Sequence, residues 1–202
     1  VLDVHFEVAT GQLAQRIEQY LLLIGKWNKI HNLTAIRDPR AMLTQHVLDS
    51  LAVLPHIHGP RIVDVGTGAG LPGIPIALAR PDWQITLVES NQKKTAFLQQ
   101  AKIELALNNV EIMARRIEDV RLTGKVDVII TRAFSELGKF VALTRNLAAE
   151  HDANRLWVAM KADCADSELK QIVDPFYLEK IVSLTVPGLD AARQLVIVKQ
   201  RI

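Results

Sequence analysis

The stretch Asp64-Val65-Gly66-Thr67-Gly68-Ala69-Gly70-Leu71-Pro72-Gly73 constrains the fold more than any other part of the chain. It follows the apolar run Arg61-Ile62-Val63 and leads into Ile74-Pro75-Ile76-Ala77-Leu78-Ala79, the pattern of a strand, a tight turn and a helix. Glycine lets the backbone reverse sharply and leaves no side chain between the turn and a ligand. A nucleotide-like cofactor can lie there against bare backbone N–H groups and the positive end of a helix. Glycine weakens a regular element by roughly 0.5–1 kcal/mol relative to alanine, so its concentration at one strand end needs a reason.

From Arg61 onward strands and helices alternate. The pattern predicts strands at 61–65, 84–89, 110–114, 126–131 and 155–160, with helices at about 73–80, 91–107, 135–148 and 164–172. Ile85, Leu87 and Val88, like Val126, Val128, Ile129 and Ile130, form near-continuous apolar runs, as strands covered on both faces should. The end differs: Leu178 to Val186 and Gln194 to Gln200 read as two strands around Pro187-Gly188-Leu189-Asp190, an antiparallel hairpin. Ahead of the alternation, Leu13, Ile17, Tyr20, Leu21, Ile24 and Trp27 recur at helical spacing, with Thr10 placed to cap the start. Asp38-Pro39 opens a second helix, Asp at the cap and Pro in the first turn, running to about Leu54. The expected fold is α/β: a mostly parallel sheet ending in an antiparallel hairpin, with helices added at the N-terminus. One domain is expected, residues 1–58 forming the helical extension and 59–202 the cofactor-binding core.

Composition narrows the function classes. At 202 residues and 49% hydrophobic, the chain can bury a full core. No apolar run approaches the ~18 residues of a membrane span, and no basic-then-apolar leader is visible. The single cysteine, Cys164, rules out an internal disulfide and suits a reducing cytoplasm. A net charge of +2 allows an anionic partner on one face without demanding one. His5, His31, His56, His58 and His151 show no paired metal-ligand spacing, so no metal site is expected.

Gly68, Gly70 and Gly73 satisfy the GxGxxG fingerprint, which alone is weak. Glu89 ends the second strand roughly 20 residues later, where a carboxylate can accept hydrogen bonds from ribose hydroxyls. Both NAD and S-adenosyl-L-methionine carry such a ribose. Three features favour the latter. Asp64 precedes the first glycine, near where a methionine amino group or sulfonium would sit; the chain ends in a hairpin rather than a second βαβ half; and little length remains for a hydride-acceptor domain. NAD and a purely structural loop stay as alternatives at this point.

The loop Asp64–Gly73, together with Trp27-Asn28-Lys29, Asn32-Leu33-Thr34, His46-Val47-Leu48-Asp49-Ser50 and Arg132-Ala133-Phe134, resembles the glucose-inhibited division protein B family. These are bacterial small-subunit ribosomal RNA guanine-N7 methyltransferases. The resemblance covers nearly the whole chain, and the segments at 27–34 and 46–50 are much more specific than the glycine loop. It implies a Rossmann-like methyltransferase fold and S-adenosyl-L-methionine as cofactor. It further implies that Gly66 and Leu71 contact the cofactor, that Glu89 holds the ribose, that Ile117-Glu118 flank the adenine, and that Arg132 closes the pocket. The plainer reading of Glu118 is a solvated loop carboxylate. One departure is Met160-Lys161-Ala162, where the family pattern has Gly after the Lys.

The implied acceptor is a guanine in 16S ribosomal RNA, within the small subunit or an assembly intermediate. Guanine N7 carries an in-plane lone pair and needs no general base, so the task is mainly positioning. No catalytic dyad is visible, which suits that chemistry. Asp49 is the candidate carboxylate beside the charge that develops on the product ring. His46, Asp49 and Ser50 lie three or four apart and should share a helix face, either at the substrate cleft or in a helix-surface network. Phosphate contacts could come from Lys26, Lys29, Arg37, Arg40, Lys93, Lys94, Arg115, Arg116, Arg132, Lys161 and Arg193, although scattered cations are more often ordinary solvated surface. Competing readings are a methyltransferase for a small molecule or protein, an NAD-linked oxidoreductase, and a non-enzymatic RNA-binding module.

Overall fold

A computed structural model describes residues 2–132, 134, 136–147, 152 and 154–201, with side chains from position 11 onward except Asn146. Ala133, Ala148 and His151, and the side chains of His5 and Thr10, lie outside the described residues. The first helix, α1, spans Leu2–His31 and so begins ahead of Thr10. The second helical segment is unbroken: α2 (Pro39–Met42), a π-helical turn (Leu43–Leu48) and α3 (Asp49–Leu51). Asp38 caps it, its carboxylate accepting from Ala41 N at 2.8 Å. The strands are β1 (Arg61–Val65), β2 (Gln84–Val88), β3 (Val110–Met113), β4 (Val128–Thr131), β5 (Leu156–Lys161), β6 (Phe176–Ser183) and β7 (Gln194–Gln200). Between them lie α4 (Gly73–Ala79), α5 (Gln92–Glu104), α6 (Leu137–Thr144) and the short α7 (Asp166–Leu169).

Among the described residues the strands form one seven-stranded sheet in the order β3-β2-β1-β4-β5-β7-β6. The first five run parallel. β7 inserts antiparallel between β5 and β6, closing the sheet with the expected hairpin. Alternation along each strand sorts the core into two layers. Ile62, Val128, Ile130, Val158, Met160 and Ile197 pack with Tyr20, Ile24, Val47, Ile74 and Phe97 on the face carrying α1, α4 and α5. Val63, Val65, Ile129, Trp157, Ala159 and Val196 pack with Leu137, Phe140 and Val141 on the face carrying α6. The reversal of strand order lies between β1 and β4, and ligands of open α/β sheets bind beyond the carboxyl ends at such a point.

α1 is pinned to that end of the sheet. Tyr20 is fully buried, and its hydroxyl donates to Ala69 O at 2.6 Å, inside the glycine loop. Arg16 Nη2 donates to Leu105 O at 2.6 Å, tying the same helix to the end of α5. The helical extension is therefore continuous with the core and presses on the loop from behind. Tyr20→Phe leaves the Ala69 carbonyl buried without that donor, and is expected to lower unfolding stability by about 1–2 kcal/mol in urea titrations.

Candidate functional site

The turn after β1 is built by glycines in the left-handed region: Gly66, Gly68 and Gly70 have φ of 70°, 62° and 90°. Gly73 is a glycine for packing, since a Cβ there would lie 2.3 Å from Leu87 Cδ2 and 2.8 Å from Asp64 Oδ2. The N–H groups of this turn, expected to be bare, are mostly used internally. Gly66 N and Thr67 N donate to Val88 O at 2.9 and 3.3 Å, while Gly70 N and Leu71 N donate to Thr67 O at 3.0 and 2.9 Å. Gly68 N donates to Glu89 Oε2 at 3.0 Å. Gly73 N, at the start of α4, donates to Asp64 Oδ2 at 2.8 Å. Two carboxylates thus stand where a pyrophosphate would need donors.

Asp64 is fully buried, and its Oδ2 also accepts from Thr67 Oγ1 at 2.6 Å. Among the described residues its Oδ1 has no hydrogen-bond partner. Burial pushes its carboxyl up to about 6, against the lowering effect of the Thr67 and Gly73 hydrogen bonds. Glu89, 8% exposed, accepts from Asn91 N through Oε1 at 2.8 Å. A cavity of about 220 Å³ opens beside the turn, walled by Val65, Gly66, Val88, Glu89, Ile117, Glu118, Phe134 and Leu143, with Arg115 and Arg116 at its rim. Gly66, Glu89, Ile117 and Glu118 therefore come together as the sequence suggests. Asp64, Gly68, Gly70 and Leu71 do not line this cavity. Leu71, 4% exposed, packs its side chain into the core on the α1 face, which leaves its backbone as the part that faces the turn.

A second cavity, about 300 Å³, lies over the ends of β4 and β5. Ile36, Gln45, His46, Asp49, Arg132, Met160, Lys161, Ala162 and Arg193 line it. The segment after β4 serves both cavities, Arg132 in this wall and Phe134 in the other. Asp49, 3% exposed, accepts from Arg193 Nε at 3.1 Å and lies 3.6 Å from Arg132 Nη1. Arg132 Nη1 also donates to Gln45 O at 3.1 Å. Burial raises the Asp49 carboxyl while the two arginines hold it down. Lys161 is ion-paired with Glu168 at 2.6 Å. Lys93 and Lys94 sit at the start of α5, their amides capped by Asn91, and line neither cavity. The pKa of the buried Cys164 thiol is pushed up, mainly by burial. Among the described residues no group of three or more His, Cys, Asp or Glu is placed to hold a metal.

The π-helical turn changes the spacing the sequence implies. Asp49 N reaches Thr44 O, one residue farther back than an α-helix allows. His46 and Asp49 still face the cavity, but Ser50 turns into the core, where its hydroxyl donates to His46 O. His46 Nε2 lies 2.8 Å from Thr34 Oγ1, and Thr34 N donates to Asn28 Oδ1 at 3.0 Å. Asn28, Thr34 and His46 form one line of support from α1 to the cavity. Thr34 and Gln45 touch the cavity residues His46 and Arg132, and residue type alone did not single them out. The signal for Thr34 was its place in the Asn32-Leu33-Thr34 segment; Gln45 contributes only a backbone carbonyl and carried none.

Burial, reinforced by the Arg132 charge, lowers the His46 pKa to about 4. The unfolded chain then binds a proton here that the folded chain refuses, between the ordinary histidine value near 6.5 and about 4. That contribution to stability is present above pH 6.5 and lost as pH falls toward 4. Asp64 works in the opposite sense, its raised carboxyl favouring the folded state at low pH and losing that effect as pH rises through about 6. Comparison with His46→Gln isolates the histidine. Between pH 7.5 and 4.5 the variant is expected to lose on the order of 1–3 kcal/mol less unfolding free energy than the parent, read from urea titrations.

Comparison with known proteins places this geometry. The GidB family model, described as rRNA small subunit methyltransferase G, matches residues 13–197. "Ribosomal RNA small subunit methyltransferase G" of Nitrosomonas europaea is 53% identical over 190 residues, 94% of this chain and 89% of that protein. The protein of the same name from Nitrosospira multiformis is 57% identical over 190 residues, 92% of this chain and 88% of its own length. A solved SAM dependent methyltransferase from Aquifex aeolicus shares the fold, with a TM-score of 0.57 at 16% identity over 80% of this chain and 94% of that one. With a match that takes in both cavities and the helices behind them, this chain belongs to the rRNA small subunit methyltransferase G family.

Proposed function

We propose that the protein transfers a methyl group from S-adenosyl-L-methionine to N7 of a guanine in 16S ribosomal RNA of the bacterial small subunit. The observation that carries the cofactor half is the hydrogen bonding of the glycine turn. A dinucleotide would lay its pyrophosphate on the N-terminus of α4, but the first N–H there is held by Asp64 and the Gly68 N–H by Glu89. Carboxylates at those points repel a pyrophosphate and suit a ligand that carries positive charge and ribose hydroxyls. The comparisons agree: the family is a methyltransferase family, and its relatives are named for ribosomal RNA.

When bound, S-adenosyl-L-methionine supplies an electrophilic methyl on a sulfonium. The protein's own residues then do the positioning. Gly66 gives the backbone room beside the cavity, Glu89 accepts from ribose hydroxyls, and Ile117 and Glu118 flank the adenine. Arg132 separates this cavity from the one over β4 and β5, which receives the guanine. Burial lowers the His46 pKa to about 4, which makes the imidazole a weak base, and Asp49 is engaged by two guanidiniums, so neither is suited to hold a proton at neutral pH. A nucleophile with an available lone pair needs no base. Asp49 acts as a positioning residue: its charge is matched by Arg132 and Arg193, and it aims both toward an anionic acceptor. The small subunit or an assembly intermediate is the particle we assign as substrate, because a paired and stacked base cannot present N7 to a recessed methyl donor.

Thermal-shift titration tests the cofactor: S-adenosyl-L-methionine at 100 times its Kd should stabilise the fold by about 2.7 kcal/mol, with NAD giving no shift. A shift with NAD alone would overturn the reading. Gly66→Val, which forces a branched side chain onto φ of 70°, should abolish the S-adenosyl-L-methionine shift while circular dichroism still reports the fold. Transfer of tritiated methyl to 16S ribosomal RNA, compared between naked RNA and small subunits, tests the acceptor. Binding of the cofactor with no incorporation into either would reject it.

A further inference from the structure

A groove of about 750 Å³ runs between α1 and the segment 37–43, outside both cavities. Positions 14, 17, 18, 21, 22 and 25 supply one wall, a single face of α1 over three turns. Leu21, Leu22, Met42 and Leu43 make an aliphatic floor that stays open, Leu22 being 67% and Leu43 39% exposed. Lys26, Lys29, Arg37 and Arg40 also line it, all exposed. Among the described residues none of these four makes an ion pair; Asp38, beside two of them, is engaged in capping α2. Glu18 contributes a carboxylate to the same wall.

The groove and the acceptor cavity are lined by neighbouring residues of one segment. Ile36 lines the cavity and Arg37 the groove; Met42 and Leu43 line the groove, Gln45 and His46 the cavity. Lys29 neighbours Asn28, whose side chain holds Thr34 and through it His46. Four exposed cations against one carboxylate, Glu18, give the groove an excess of positive charge beside an apolar surface. That pairing matches a nucleic-acid strand, which brings phosphates for the cations and a base turned out of its stack for the apolar surface.

We infer that this groove holds the RNA strand flanking the target nucleotide, its phosphates on Lys26, Lys29, Arg37 and Arg40 and one unstacked base on the Leu21, Leu22, Met42 and Leu43 floor. The inference rests on the ribosomal RNA reading above. An aliphatic floor accepts any base, so the groove fixes the register of the strand rather than its sequence. The test measures binding apart from catalysis, by fluorescence anisotropy of a labelled 16S RNA fragment across a salt series. Lys29→Glu/Arg40→Glu should raise Kd at least about tenfold and flatten the dependence of log Kd on log salt by roughly 1.4, about 0.7 for each lost phosphate contact. Leu22→Asp, which places a carboxylate on the floor, should also raise Kd. Lys170→Glu, on the exposed end of α7, should not, and the S-adenosyl-L-methionine thermal shift should persist in every variant. An unchanged Kd and salt slope in the double variant would overturn the inference. So would an effect seen with assembled subunits but absent with naked RNA, which would assign the groove to a ribosomal protein. Groove-dependent RNA binding without methyl transfer would instead reject the catalytic reading and leave the groove in place.

Discussion

A carboxylate taken out of water must find hydrogen bonds or give up its charge, and Asp64 does some of each. Sitting under the turn after β1, it accepts from Thr67 Oγ1 and from Gly73 N, the first amide of α4. Those bonds set the angle at which the chain leaves the strand and enters the helix. Glu89, at the end of the neighbouring strand, holds the same turn from the other side through Gly68 N. Tyr20 holds it from behind through Ala69 O. Cavity, helix and N-terminal extension are all referred to this one turn, whose left-handed glycines make the close approach of three polar groups sterically possible.

This arrangement also decides what the turn can bind. A glycine-rich turn with free amides is an anion site. Here the key amides are already paired with carboxylates, and the same backbone shape becomes suited to a cationic ligand. The distinction is electrostatic rather than conformational, which is why the fingerprint spacing alone could not make it. In the cavity over β4 and β5, Arg132 and Arg193 converge on Asp49 from 83 and 144 positions away in sequence, the second separation fixed by insertion of β7 beside β5. The segment after β4 contributes to both cavities, Arg132 to one and Phe134 to the other.

Much of the fold was legible before the structure. The double apolar runs at Ile85–Val88 and Val126–Ile130 marked strands covered on both faces, and the missing helix between Leu178 and Gln194 marked the hairpin. Boundaries moved where tertiary contacts rather than local propensity set them. The helix expected at 164–172 shrank to Asp166–Leu169, and the second helix acquired a π turn that spacing arithmetic did not anticipate. Ser50 left the shared face to back-bond to His46 O, while His46 and Asp49 stayed on it. Of the two loop residues singled out for the cofactor, Gly66 lines the cavity, while the side chain of Leu71 goes to the core.

By itself the sequence determined the alternation, the turn and the residue types available at each strand end, because glycine content, hydrophobic period and chain polarity are local properties. Only the tertiary structure decided which groups met. Asp64 and Glu89 became clamps on the turn, Lys161 became the partner of Glu168, and Thr34 became the support of His46, because hydrogen bonds and ion pairs form between atoms brought within about 3 Å by packing. Residues 27–34 show the division most clearly. Their identities are written in the chain, yet their support of His46 exists only once α1 has docked against the sheet and carried Asn28 to Thr34, and Thr34 to His46.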